Sequence, residues 1–162
     1  MNIPFVVSAL VAIAATAMVI TRRSAVHALL YLVVSLLAVA VIMFILGGPF
    51  VAALEVIIYA GAIMVLFVFV IMLIGHENVA VPPRSWIGPS LLAALLLGLL
   101  VWVLGQGSLE PRAIAEIGPK KVGMTLFGPY ILAAEIAAFL LLAGLVGAFH
   151  LGRRVTPEEG RK

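Results

Sequence analysis

The sequence predicts an all-α integral membrane protein with five transmembrane helices, an N-terminus outside the membrane and a C-terminus inside. Hydrophobic residues make up 65% of the 162 residues and charged residues only 10%, with a mean hydropathy of +1.30. An ordinary soluble domain carries about 25% charged residues. The apolar residues also fall into five runs, each long enough to cross a hydrocarbon core of about 30 Å as a helix.

The five runs predict helices at about 3–20, 25–46, 50–74, 86–104 and 129–151. Helix is the only sensible assignment, because separate strands would leave their backbone groups unsatisfied in lipid. We interpret residues 1–152 as one five-helix transmembrane domain and residues 153–162 as a charged cytoplasmic tail.

Basic residues predict the orientation. Arg22 and Arg23 follow the first apolar run, whereas a cleaved signal peptide has basic residues in front of it, so this helix is expected to be retained. With the N-terminus outside, seven basic residues fall inside and three fall outside, as the positive-inside rule requires. The inside set is Arg22, Arg23, Arg84, Arg153, Arg154, Arg161 and Lys162, and the outside set is Arg112, Lys120 and Lys121.

Polar and turn-forming residues separate the helices. Ser24 is placed to cap the second helix, and the sequence Gly-Gly-Pro at 47–49 predicts a tight turn before the third. The longest polar stretch is 105–123, and Pro129 is expected at or near the first turn of the fifth helix.

Composition excludes several classes of function. The chain has no cysteine, so it offers no disulfide, no thiolate metal site and no iron–sulfur ligation. The net charge of +3 is small, and its basic residues flank apolar runs, so no nucleic-acid surface is indicated. The sequence shows neither a phosphate-binding loop nor a nucleophile–base pair, and we predict no catalytic, cofactor-binding or metal-binding residue in it.

Two glutamates lie inside apolar runs, Glu55 in the third and Glu135 in the fifth. A carboxylate costs roughly 2.5–3.5 kcal/mol at the centre of a membrane helix and less near the interface. Each is open to two interpretations: a buried polar or proton-path carboxylate that faces other chains, or an interfacial side chain that reaches water. If both helices start outside, the two glutamates lie at similar depth.

The third helix has a glycine near its middle. Glu55, Tyr59 and Ile63 share one face, and Gly61 lies between two alanines. Glycine at this place permits close packing against another helix, which is its commoner use in membranes. The alternative is a hinge or a π-bulge, a deformation that tends to occur at functional positions.

Two histidines allow a further alternative. His27 begins the second helix and His150 ends the fifth, so both are expected near the inner surface. A histidine pair at matching depth can ligate a haem iron. The favoured interpretation is an interfacial histidine with one nitrogen in water.

Three stretches resemble one family, the J subunits (NuoJ) of bacterial NADH:quinone oxidoreductase, respiratory complex I. They are VHALLYL at 26–32, ALEVIIYAGAIMVLFVFV at 53–70 and TLFGPYILAAE at 125–135. The resemblance covers all five predicted helices, and the second stretch is its specific part. The resemblance implies a non-redox subunit of a bacterial inner-membrane enzyme complex.

The family resemblance also implies a mechanism and a set of partners. In this family the third helix carries a π-bulge that relaxes to regular α-helix and gates a water path for protons. The matching positions here are Tyr59, Gly61, Ile63, Val65 and Phe67. Expected partners are the A, H, K and N chains and the lipid bilayer, with FMN, iron–sulfur clusters and quinone held by partner subunits.

Other classes of function stay open at this point. A purely structural membrane tether would show the same composition, and a haem-carrying subunit would use His27 and His150. A stand-alone transporter is disfavoured, because the sequence has no internal repeat and no deep polar pathway.

Overall fold

The computed structural model of this protein describes residues 3–22, 24–74, 86–105 and 117–153. All regular secondary structure in these ranges is helical, which confirms the predicted class. The helices are α1 (Ile3–Thr21), α2 (Ala25–Ile45), α3 (Pro49–Ile74), α4 (Ile87–Gly105), α5 (Pro119–Leu126) and α6 (Ile131–Gly152). All except the short α5 are long and apolar enough to cross a membrane. The orientation of the termini stays a prediction.

The chain divides into two compact units, Met1–Gly118 with α1 to α4 and Pro119–Lys162 with α5 and α6. The interpretation of residues 1–152 as one domain stays a prediction. The expected tail from residue 154 onward, and the loop that contains His76, lie outside the described residues.

The first unit is built on close contact between α1, α2 and α4. Its core joins Val11 and Ala15 of α1, Val34 and Ala38 of α2, and Leu96 of α4. Both alanines are fully buried, which lets the helix backbones approach closely, as small residues do in membrane bundles.

A polar contact fixes the register of α1 on α2. The hydroxyl oxygens of Thr16 and Ser35 lie 2.8 Å apart, and the carbonyl oxygen of Ala12 lies 2.8 Å from the first and 3.4 Å from the second, so one hydroxyl donates to the other and the second donates to the carbonyl. Sliding α1 along α2 would break this set of contacts and leave the buried hydroxyl of Ser35 without its partners on α1.

The predicted turn between α2 and α3 is present. Gly47 has a φ of 87°, a left-handed conformation that glycine adopts without steric cost. Gly47 donates to the carbonyl of Phe44 and Gly48 to that of Met43, the bond pattern of a Schellman motif. Pro49 then occupies the start of α3, where backbone N–H groups have no acceptor within the helix, so proline costs no hydrogen bond there.

The second unit contains a helix that the sequence analysis missed. Pro119–Leu126 is helical within the stretch interpreted as a polar loop, and α6 begins at Ile131, so Pro129 precedes the helix instead of lying in its first turn. The turn between them needs glycine, since a Cβ at Gly128 would lie 2.7 Å from the carbonyl oxygen of Met124.

Candidate functional site

The third transmembrane helix is interrupted at its middle by a π-helical segment. Regular α-helix runs over Pro49–Glu55, π-helix over Val56–Ile63, and α-helix again over Met64–Ile74. At the end of the π segment the N–H of Met64 faces the carbonyls of both Tyr59 and Gly61. A π segment accommodates an additional residue within a helical turn, and its backbone N–H and C=O groups stay hydrogen-bonded.

Local sequence favours this deformation. The segment starts with three β-branched residues, which fit an α-helix less well than straight-chain residues do. Gly61 removes a further obstacle, because a Cβ there would lie 3.3 Å from the carbonyl oxygen of Val56. The segment therefore tolerates a side chain at position 61 only with a local shift of the backbone.

Most of the site residues point away from the core of their own unit. Tyr59 is exposed, and Val65 and Phe67 expose 65% and 52% of their surfaces, while Gly61 and Ile63 are half-buried. Tyr59, Gly61 and Ile63 lie in the π segment, and Val65 and Phe67 lie in the α-helical part that follows. A water path beside the exposed side chains among them would need a wall supplied by another chain.

One residue anchors the helix after the π segment. Met64 is 6% exposed and is the buried residue of Met64–Ile74. If the π segment relaxed by one residue to regular α-helix, everything after it would turn by about 100° and move by about 1.5 Å along the axis. Methionine has three rotatable bonds and a polarisable thioether, so it can fill differently shaped gaps in both arrangements.

The two intramembrane glutamates occupy different surroundings. Glu55 is half-buried and is the last α-helical residue before the π segment. Glu135 is exposed and lies in the second turn of α6. They belong to different units, so the idea that they share a polar pocket stays a prediction. No group of three His, Asp or Glu side chains within the described ranges is placed to hold a metal ion.

His27 corrects the expectation of a histidine with one nitrogen in water. It is 4% exposed, its Nδ1 lies 3.2 Å from the hydroxyl of Ser24, and its ring meets the Trp86 ring edge-on at 5.9 Å. Its Nε2 is enclosed and has no hydrogen-bond partner among the described residues. An enclosed Nε2 offers no open position for iron, which disfavours the haem interpretation, and His150 is exposed on α6.

Ser24 occupies the predicted N-cap position but does not cap the helix with its side chain. Its carbonyl accepts the N–H of Ala28, while its hydroxyl pairs with His27 and bonds none of the first backbone N–H groups of α2. The predicted position is therefore correct and the predicted cap hydrogen bond is wrong.

A second aromatic contact lies one turn further along α2. Tyr31 is 2% exposed, and its hydroxyl fits against Gly88 of α4, where any Cβ would overlap it. The guanidinium of Arg22 lies over the Tyr31 ring, 5.2 Å from its centroid. This cluster was not predicted, although His27, Tyr31 and Ser35 repeat every four residues in an otherwise apolar helix, which is a signal of one polar face.

An apolar groove of about 640 Å³ lies among α2, α4 and the first two turns of α3. The groove is open because small alanine side chains line it on all three helices, among them Ala40, Ala52 and Ala93. Val56, the first residue of the π segment, also lines it. A change of winding in α3 would therefore alter the wall of this groove.

Comparison with known proteins shows the family of this chain. Residues 15–151 match the family model of NADH-ubiquinone/plastoquinone oxidoreductase chain 6. The chain is 49% identical over 160 residues to NADH-quinone oxidoreductase subunit J of Escherichia coli K12, covering 94% of this chain and 87% of the relative. It is 48% identical to the subunit J of Pseudomonas aeruginosa, over 95% of this chain and 98% of the relative. The chain therefore belongs to the family of NADH-ubiquinone/plastoquinone oxidoreductase chain 6.

Proposed function

We propose that this chain is the J subunit of a proton-translocating NADH:quinone oxidoreductase, and that its third transmembrane helix couples quinone reduction to proton movement. Two relatives that it matches over more than nine-tenths of its length are named as subunit J of that enzyme. The observation that carries the coupling role is the π segment Val56–Ile63 in the middle of a membrane-spanning helix.

The proposed mechanism is a switch between two windings of α3. In the π form, Val65 and Phe67 point in two different directions, about 200° apart around the α-helix that follows the π segment. Relaxation to the α form turns both side chains by about 100°. Each side chain then leaves one position and occupies another, which opens or closes a path for water beside the helix. Gly61 keeps the two forms close in free energy, because it places no Cβ against the carbonyl of Val56.

The chain itself supplies no redox chemistry in this proposal. FMN, iron–sulfur clusters and quinone belong to partner subunits, and the A, H, K and N chains pack around this one in the bacterial inner membrane. The N-terminus faces outside and the C-terminus inside, in keeping with the distribution of Lys and Arg. The largely exposed apolar surfaces of α3 and α6 are suited to contact with these chains and with lipid.

The experiment that tests membership is purification of whatever assembles with this chain in mild detergent, followed by a subunit inventory and an assay of NADH:quinone reductase activity. An active assembly of many chains is the expected result. A chain that purifies alone, or with inactive partners, would overturn the assignment.

The switch itself is tested by determining the structure of the complex at rest and during turnover. We expect π-helix over residues 56–63 in one state and regular α-helix in another. If every state shows the same π winding, the proposed gate is wrong. The alternative is then a structural tether, which the extensive exposed apolar surface also favours.

A further inference from the structure

A cation and an indole are held together at the membrane face where α1 ends and α2 and α4 begin. Arg22 follows the last residue of α1, and its Nη2 lies 3.4 Å from the hydroxyl of Tyr31. Trp86 directly precedes α4, is half exposed, and packs edge-on against His27. Both exposed side chains therefore rest on buried rings of α2.

The guanidinium of Arg22 is preorganised by its support. Tyr31 is buried, and its hydroxyl is fitted against Gly88, so the ring beneath the guanidinium is fixed in place. A guanidinium held over an aromatic ring can still offer the N–H groups of its other nitrogens to a phosphate. Among the described residues Arg22 finds only two acceptors, Met18 Sδ at 3.3 Å and the Tyr31 hydroxyl, and both face Nη2.

The electrostatics of this face favour an anion. The positive ends of the α2 and α4 dipoles lie here together with the negative end of the α1 dipole, so two positive helix ends outweigh one negative end. The hydroxyl of Ser24 bonds His27 instead of the first N–H groups of α2. No described carboxylate offsets the charge of Arg22 at this face.

Apolar surface next to the cation decides the kind of anion. Met18, which contacts Arg22, is exposed, and so are three apolar residues within four positions of Arg22 or Trp86 along the chain: Ile20, Val26 and Ile87. A free inorganic anion would gain nothing from this surface, whereas acyl chains would cover it. Tryptophan is enriched at the membrane interface, at the level of lipid headgroups.

We propose that this face binds the headgroup phosphate of an anionic phospholipid, with Arg22 as the phosphate ligand, Trp86 at the headgroup level and the acyl chains against the exposed residues of α1 and α4. The proposal goes beyond the proposed function and does not depend on it, because it concerns a lipid contact of this chain whatever the complex catalyses.

The test uses the complete complex reconstituted into phosphatidylcholine vesicles that contain a phosphatidylglycerol carrying a photoreactive group near its headgroup. Crosslinked peptides are mapped by mass spectrometry. We expect labelling on peptides that contain Arg22 or Trp86, and we expect Arg22→Gln to reduce it about fivefold, the ratio that corresponds to one basic side chain at an anionic surface. Arg153→Gln is the matched control, an exposed arginine at the end of α6.

Competition separates the sources of phosphate. Unlabelled phosphatidylglycerol should displace the probe, and inorganic phosphate should not. Equal labelling by a phosphatidylcholine probe, unchanged labelling in Arg22→Gln, or displacement by inorganic phosphate would each overturn the proposal. NADH:quinone reductase activity measured on the same vesicles reports separately on the proposed function.

Discussion

Adding a side chain at position 61 is expected to shift α3 from the π form toward the α form. In the π form a Cβ at Gly61 lies 3.3 Å from the carbonyl oxygen of Val56, closer than nine in ten Cβ contacts in proteins. The atom that must give way belongs to the backbone of the same helix and cannot rotate aside. Gly61→Ala and Gly61→Val should therefore disfavour the π winding in graded steps.

The size of each step follows from the contact. Forcing one methyl group into a tight site costs about 1 kcal/mol, the low end of the range for overpacking. That figure corresponds to a roughly fivefold shift of the equilibrium between the two windings. Valine adds two methyl groups beyond its Cβ and stiffens χ1, so Gly61→Val is expected to cost about 2–3 kcal/mol, roughly a 30-fold to 150-fold shift. Intrinsic helix propensity largely cancels, because both forms are helical.

The assay is NADH-driven proton pumping in inverted membrane vesicles, divided by the NADH oxidation rate of the same vesicles. Gly61→Val should impair coupling or turnover strongly and Gly61→Ala mildly, while both complexes assemble. Gly98→Val is the matched control, since Gly98 lies in a transmembrane helix with no atom within 4 Å of its added Cβ. Normal pumping in Gly61→Val vesicles would refute the reasoning, and so would an equal loss in Gly98→Val.

Three further predictions concern packing and charge. Gly88→Ala should lower the free energy of unfolding by about 1–3 kcal/mol, because the Cβ of the introduced alanine overlaps the hydroxyl of Tyr31. Adding Tyr31→Phe to the same chain should recover part of this loss. Thr16→Val and Ser35→Ala should each lower the free energy of unfolding by about 0.6 kcal/mol. The double variant should lower it by less than the sum, because both substitutions remove the same contact. Full additivity would contradict this pairing. The complex with Glu55→Gln should assemble normally, and its proton pumping should fall less than in Gly61→Val, because this half-buried carboxylate lies next to the π segment and not within it. Complete loss of pumping would show that the charge of Glu55 is essential.

The positions of the transmembrane helices followed from the sequence because length and hydropathy decide them locally. Each of the five predicted spans lies within about two residues of an observed helix, since lipid demands uninterrupted backbone hydrogen bonding wherever apolar residues run long enough. Short α5 escaped prediction because its eight residues are amphipathic, with two lysines, and such a segment carries no signal of a membrane span.

The surroundings of individual polar residues could not be predicted in the same way. The sequence placed His27 at a helix start, where water is near, yet in the tertiary structure Trp86 from a distant part of the chain covers it. Ser24 was placed correctly at the N-cap, but the nearby imidazole competes for its hydroxyl. In both cases the outcome depends on which side chain another helix brings to that point.

The sequence by itself determined the class, the five spans and the family, because composition, apolar run length and the stretch around Gly61 are properties of neighbouring residues. The choice at Gly61 between a packing glycine and a deformed helix stayed open on residue pattern alone, since glycine permits both. Only the structure decided that Val56–Ile63 is wound as a π-helix and that Met64 turns inward while Val65 and Phe67 turn outward. Helix winding and the facing of side chains depend on backbone hydrogen bonds and on contacts with neighbouring helices, which no single stretch of sequence contains.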